Sequence, residues 1–171
     1  MCDVNSEIMS GILVYHGGTE RVEHPHCKLG RANLDFGQGF YVTDLREQAQ
    51  AWANNIARNR KSLPLLNRYA MDRDAILKGF RCKVFKAYDR DWLEFIIANR
   101  QGLNEAANYD YVEGGVANDR VVDTINLYIT GLMDIETALK ELSRHQPNNQ
   151  ICILNQEIIN KHFIYDGTEN L

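Results

Sequence analysis

The sequence predicts an α+β fold, and two observations carry that reading. Short apolar runs of strand length, rich in β-branched and aromatic residues, recur along the chain, as at residues 11–15, 40–42 and 150–154. Between them lie longer stretches whose apolar residues are spaced three and four apart, as expected of helices that bury one face. The chain has 171 residues and 44% hydrophobic content, enough for a sizeable core. With three prolines and no Ser/Gly-rich tract, nothing reads as a linker, so residues 1–171 are expected to form a single domain.

The first expected strand, residues 11–15 (Gly-Ile-Leu-Val-Tyr), ends at His16-Gly17-Gly18-Thr19. A histidine and two glycines at a strand end read as a turn or as a ligand-facing edge. Residues 20–34 show no periodicity and read as a loop, which its place between two motifs suggests is a mobile lid. Within it, His24, His26 and Cys27 are the one grouping with metal-ligand chemistry. A structural zinc site takes four ligands in paired spacings, and the other Cys and His residues are scattered, so no metal is expected. Arg31 stands just before a glycine loop. Its guanidinium either grips a phosphate through two hydrogen bonds or is a solvated or ion-paired surface group.

The run from Asp35 to Asp44 (Asp-Phe-Gly-Gln-Gly-Phe-Tyr-Val-Thr-Asp) organises the chain. It reads glycine loop, strand (Phe40-Tyr41-Val42), cap (Thr43 or Asp44), then a helix over residues 44–60. Gly37 and Gly39 supply unusual dihedrals or allow a close approach, to the fold or to a ligand. Leu45, Ala49, Trp52, Ala53 and Ile56 form the buried face of the helix, and Arg58, Arg60 and Lys61 suit the negative end of its dipole.

Further along, residues 65–71 and 80–88 read as strands. Asp89-Arg90-Asp91 opens a helix with Trp92, Phe95, Ile96 and Ile97 on one side and a stop near Gly102. Residues 109–113 form another strand, followed by the loop Gly114-Gly115-Val116-Ala117-Asn118-Asp119. Asn118 or Asp119 caps the next helix, and a further one covers residues 134–145. Pro147-Asn148-Asn149 signals a turn into the strand at residues 150–154, with polar Gln150 at its mouth. A short helix at 156–161 and a final strand at 162–165 complete the chain.

The net charge of −4 gives no reason to expect strong nonspecific binding to nucleic acid. No stretch approaches the roughly 18 apolar residues of a membrane span, so no membrane partner is expected. The four cysteines lie far apart without a CxxC pair, and the polar first ten residues do not resemble a signal peptide. Reduced thiols and a cytoplasmic location follow as expectations.

Three motifs in order resemble those of ADP-ribosyltransferases of the diphtheria-toxin and poly(ADP-ribose)-polymerase branch. Tyr15-His16-Gly17-Gly18 looks like the first-strand motif. The stretch from Phe36 to Asp44 resembles the second, a glycine loop entering a tyrosine-bearing strand, with an alanine-rich helix behind it. Asn149-Gln150-Ile151-Cys152-Ile153 resembles the third, where the branch usually has glutamate. The whole chain is also similar to a group of small bacterial proteins of this superfamily. They share its Leu-Asp-Phe-Gly loop, its Trp-Leu-x-Phe helix and its Gly-x-Val-Ala-Asn-Asp loop.

The resemblance implies a split, mostly antiparallel sheet core with flanking helices, and a mono-ADP-ribosyltransferase that uses NAD to modify a macromolecular target, protein or nucleic acid. A bacterial toxin or effector is implied, with a neutralising antitoxin as a partner. His16 would bond a ribose hydroxyl of NAD, in a cleft between its strand and that of Tyr41. The Gly17 backbone would hold the nicotinamide amide, Tyr41 would stack on its ring, and Gln150 would bind the 2′-hydroxyl of the nicotinamide ribose. Arg31 would lie near the pyrophosphate. Gln150 in place of glutamate orients a hydroxyl but takes no proton, which favours a single transfer. A general base would then come from the target or from Asp35, Glu113 or Asp119. The alternatives are an NAD glycohydrolase, an RNA 2′-phosphotransferase, or a catalytically silent NAD-binding or interaction module.

Overall fold

The computed structural model describes residues 11–145 and 148–171, so Cys2 and Pro147 lie outside the described residues, as does the N-terminal stretch. The fold is α+β and its strand pairing is mostly antiparallel, as predicted. The chain divides into two compact units, each built from separate segments. One comprises residues 11–25, Val42–Phe80 and Glu157–Leu171. The other comprises His26–Tyr41 and Arg81–Gln156.

The first unit is built on strand β3 (Leu65–Met71), which lies between β1 (Ile12–Gly18) and β7 (Phe163–Asn170), antiparallel to both. Helix α1 (Arg46–Arg60) packs on this sheet through Ala49, Ala53 and Ala57, one residue per turn. Trp52 and Ile56, expected in the buried face, are only half-buried. A stripe of methyl groups lets the helix come close, and Gly17 on β1 meets it: a Cβ there would lie 2.0 Å from the Ala49 carbonyl oxygen. The strand therefore does not end at Tyr15 as the paired glycines suggest. It continues to Gly18, with Gly17 opposite Leu66 and Gly18 opposite Leu65.

The expected cap of α1 is also shifted. Leu45 occupies the N-cap without a side-chain bond. Thr43 instead exchanges two backbone hydrogen bonds with Tyr15 (2.7 and 3.0 Å), and its Oγ1 accepts from the Leu45 N–H at 3.0 Å. Helix α2 (Arg73–Gly79) was not expected. Asp72 caps it, accepting from the Ala75 N–H at 3.0 Å.

In the second unit, the sheet order runs β2 (Phe40–Val42), β6 (Gln150–Ile153), β5 (Tyr111–Gly114), β4 (Cys82–Val84), with Val42 already counted in the first unit. Of residues 80–88, only β4 is strand, because Phe85 and Tyr88 turn into the core instead. That core gathers Phe36, Phe85, Trp92, Leu93, Phe95 and Ile96 with Val121, Ile125 and Leu142. Trp92 to Ile96 come from α3 (Arg90–Arg100), capped by Asp89; Val121 and Ile125 come from α4 (Asp119–Ile129), capped by Asn118; Leu142 comes from α5 (Ile135–Leu142), capped by Asp134.

Side chains alternate across this sheet. Val112 and Cys152 sit opposite each other and join the core, and a Cβ on Gly114 would meet Phe85 and Phe36. Gln150, opposite Gly114, shares that face. Tyr111, Glu113, Ile151 and Ile153 project from the other face. Helix α6 (Gln156–His162) leads into β7, and no helix among the described residues is long and apolar enough to cross a membrane.

Candidate active site

Tyr41 and Gln150 stand on neighbouring strands of the second unit, and Tyr41 shares a face with Gln150. The Tyr41 hydroxyl lies beside the Cys152 thiol, and Cys152 lies two residues beyond Gln150 on that same face. Burial, followed by the neighbouring Cys152, pushes the Tyr41 phenol far above its ordinary range, so it stays protonated.

That hydroxyl serves the glycine loop. It accepts from the Phe36 N–H at 3.2 Å and donates to the Gly37 carbonyl at 2.7 Å. Gly37 takes φ +86°, which a side chain would strain, and a Cβ on it would lie 2.5 Å from Ala106 Cβ. At Gly39 a Cβ would sit 2.5 Å from both Cys152 Sγ and the Ile153 carbonyl oxygen. Both glycines are thus required by the fold of this unit, and the oxygen of the half-buried Tyr41 is engaged by its own loop. Tyr41→Phe keeps the ring and strips the loop of both bonds. We expect the melting temperature to fall by an amount equivalent to about 1–3 kcal/mol, read by thermal denaturation. An unchanged melt would show that the loop holds its shape without the hydroxyl.

Gln150 is 4% exposed, and its Nε2 has no hydrogen-bond partner among the described residues. A buried amide nitrogen without an acceptor is costly, and such groups in native proteins call for an explanation. The two residues before it are differently placed. The Tyr88 hydroxyl donates to the Val116 carbonyl at 2.8 Å and lies 3.1 Å from Asn148 Oδ1. Asn149 Nδ2 donates to Glu113 Oε1 at 3.2 Å.

His16 and Gly17 belong to the first unit. His16 is half-buried on β1 opposite Asn67, with its imidazole over Gly18: a Cβ there would be 3.6 Å from His16 Nε2. Asn67 is fully buried, and no motif in the sequence marks it. Its Oδ1 accepts from the Val22 N–H (2.9 Å) and the Thr168 hydroxyl (2.6 Å), and its Nδ2 donates to the Glu20 carbonyl (3.0 Å). Tyr69 adds a bond from its hydroxyl to the Val22 carbonyl. The start of the 20–34 segment is therefore tied down.

Its later part, in the second unit, is tied as well. The Cys27 N–H donates to Gln156 Oε1 at 3.0 Å, and Gln38 Nε2 donates to the carbonyls of Lys28 and Gly30 at 3.1 and 2.8 Å. Anchored at both places, the segment does not present the free lid that its lack of periodicity suggests. Arg31 follows these anchors and is exposed, with no ion pair among the described residues. Cys27 is buried, which pushes its thiol up to about 11, while His24 and His26 are exposed. Among the described residues, no three His, Cys, Asp or Glu side chains gather in a way that could hold a metal ion.

The acidic candidates separate by geometry. Asp35 Oδ1 is 2.6 Å from Arg100 Nε, and the Asp35 carbonyl accepts from Asn99 Nδ2 at 2.9 Å, so this carboxylate anchors the glycine loop to α3. Asp119 is exposed in the first turn of α4. Glu113 is buried and projects from the sheet face opposite to Gln150. Asn99 also accepts from the Ala106 N–H at 3.0 Å. Its spacing from Trp92 and Ile96 marked it as facing the core, a signal that the sequence carried and that reading by residue polarity passes over.

No curated protein and no solved structure matches the chain. Over residues 12–163 it matches the family described as "Protein of unknown function (DUF3990)", and it belongs to that family.

Proposed function

We propose that this protein is a mono-ADP-ribosyltransferase that uses NAD to modify a macromolecular target. The observation that carries the reading is the buried Gln150 amide nitrogen, without an acceptor among the described residues, on the sheet face that it shares with Tyr41. A ribose hydroxyl supplies the acceptor that this nitrogen lacks, and the flat Tyr41 ring supplies a stacking surface beside it. The residues present fit a nicotinamide riboside in that respect. The order of the three motifs, with His16 and Gly17 in the first, is the second support.

When bound, NAD supplies the ADP-ribosyl group and nicotinamide as leaving group. Gln150 orients the sugar hydroxyl, and the Tyr41 ring fixes the plane of the nicotinamide. Such positioning is worth most when its geometry is held before the substrate arrives. Here the bonds from Tyr41 to Phe36 and Gly37 hold the ring. Gln150 carries no carboxylate and takes no proton, so as nicotinamide leaves, the proton of the attacking group goes to a base of the target or to solvent. His16 is assigned a ribose contact on the strength of its motif alone. The protein acts in the cytoplasm as a toxin or effector, with a neutralising antitoxin as partner.

The test is incubation with NAD labelled in the adenylate moiety and with a cell lysate, followed by protease or nuclease digestion. Label retained on a macromolecule together with released nicotinamide supports the transferase. Nicotinamide release without macromolecular label makes the protein a glycohydrolase, and NAD binding without release makes it a silent binding module. Arg31 provides a separate check. If it holds the pyrophosphate, Arg31→Ala raises the Michaelis constant for NAD about tenfold while turnover changes little, the pattern of a lost uniform binding contact. A change confined to thermal stability would make Arg31 structural.

A further inference from the structure

Three consecutive amides, Asn148, Asn149 and Gln150, lead into β6. The backbone ladder with β5 begins only at Gln150, which pairs with Gly114. Upstream of that pair the chain is placed by side chains: Asn148 lies against the Tyr88 hydroxyl, and Asn149 donates to Glu113. Glu113 is the unusual member. It stands at 8% exposure on an interior strand, and its other oxygen, Oε2, accepts from the Tyr111 hydroxyl at 2.6 Å. Tyr111 is fully buried. Both carboxylate oxygens are therefore engaged. Burying a carboxylate costs more than burying a neutral side chain of similar size, so the pattern favours a role that a neutral residue does not fill.

We propose that Glu113 is a positioning residue for the reaction assigned to Gln150. It acts through Asn149, and the proposal rests on the function proposed above. Successive residues of an extended chain project to opposite faces. By holding the Asn149 side chain on the Tyr111 face, Glu113 fixes the backbone so that Gln150 projects to the Tyr41 face. The Gln150 amide nitrogen, at the end of the ladder where Gln150 pairs with Gly114, is then set before substrate arrives. Glu113 itself, on the opposite face, is not the general base for chemistry at Gln150.

The experiment measures steady-state nicotinamide release and thermal denaturation for the wild type, Glu113→Gln, Asn149→Ala and the double variant. We expect each single variant to lower kcat about tenfold, with KM for NAD within twofold of wild type and the folded fraction unchanged at the assay temperature. The double variant should be no slower than the slower single one, since both changes remove the same link. Wild-type kcat in Asn149→Ala, or a double variant slower by the product of the two single effects, overturns the proposal. Should Glu113→Gln fail to fold, Asn149→Ala and Glu113→Asp decide: wild-type kcat in Asn149→Ala still overturns it, and a lowered kcat in both at unchanged KM supports it. A wild-type protein that releases no nicotinamide overturns the functional reading itself and needs no variant to show it.

Discussion

Replacing Gly17 by alanine should destabilise the protein by at least about 3 kcal/mol, the upper part of the range for overpacking. The added Cβ would stand 2.0 Å from the Ala49 carbonyl oxygen, 2.9 Å from the Ala49 carbonyl carbon and 3.0 Å from the Ala53 nitrogen. All three are backbone atoms of α1, so no change of rotamer relieves the contact. Trimming Ala49 to glycine would not help either. The helix has to move away from β1, and Ala49, Ala53 and Ala57 lose their packing together. For a chain of this length the change corresponds to a melting temperature lower by roughly 6–12 °C. A melt within 2 °C of wild type would mean that α1 slides on the sheet at little cost. The experiment also guards against a misreading. Gly17 lies in a motif whose backbone is assigned to the nicotinamide amide, and loss of activity in Gly17→Ala would look like loss of that contact. The geometry gives the glycine a sufficient reason in the fold, so only activity measured at equal folded fraction bears on NAD.

Gly17 also marks where the sequence stopped being legible. Periodicity located β3, α3 and α4 because their signals are local: strand-forming residues over Leu65–Met71, Trp92, Phe95 and Ile96 on one helical face, and Val122 and Ile125 in a capped run. Asn118 was readable as a cap, and Asp89 and Asp134 as helix starts, because a cap bonds to an N–H three residues on. The extent of β1 was not readable. A Gly-Gly pair is a turn signal by local rules, and it becomes strand here only because an alanine-faced helix, distant in sequence, needs that space. Thr43 lost its expected cap role for a similar reason, since its backbone is paired with Tyr15. The same limit applies to the candidate site. Tyr41 and Gln150 were legible as motif positions. That the Tyr41 oxygen is spent on its own loop, and that Asp35 is held by Arg100, depend on partners that no spacing rule connects.

Replacing Gln150 by methionine should separate stability from activity, and the two effects should run in opposite directions. In the folded protein Gln150 is 4% exposed and its Nε2 lacks an acceptor among the described residues. Leaving a buried donor unsatisfied costs about 1–3 kcal/mol. Methionine matches the side chain in length, carries no donor and adapts to irregular space. If the orphaned amide is a strain kept for substrate, Gln150→Met should melt higher, by about 2–4 °C for each kcal/mol recovered. Nicotinamide release should fall by about 30- to 1,000-fold, the scale of losing an electrostatic contact that strengthens in the transition state. Binding of NAD should weaken much less, because one neutral hydrogen bond contributes only about 0.5–1.5 kcal/mol. Gln150→Glu makes the complementary test. A carboxylate at this buried position destabilises the free protein, yet beside the sugar it would favour developing positive charge and should retain or raise NAD hydrolysis. The opposite assignment, in which Gln150 only fills space at the mouth of β6, requires wild-type turnover in Gln150→Met. That result would remove Gln150 from the site and leave the Tyr41 ring without its partner residue.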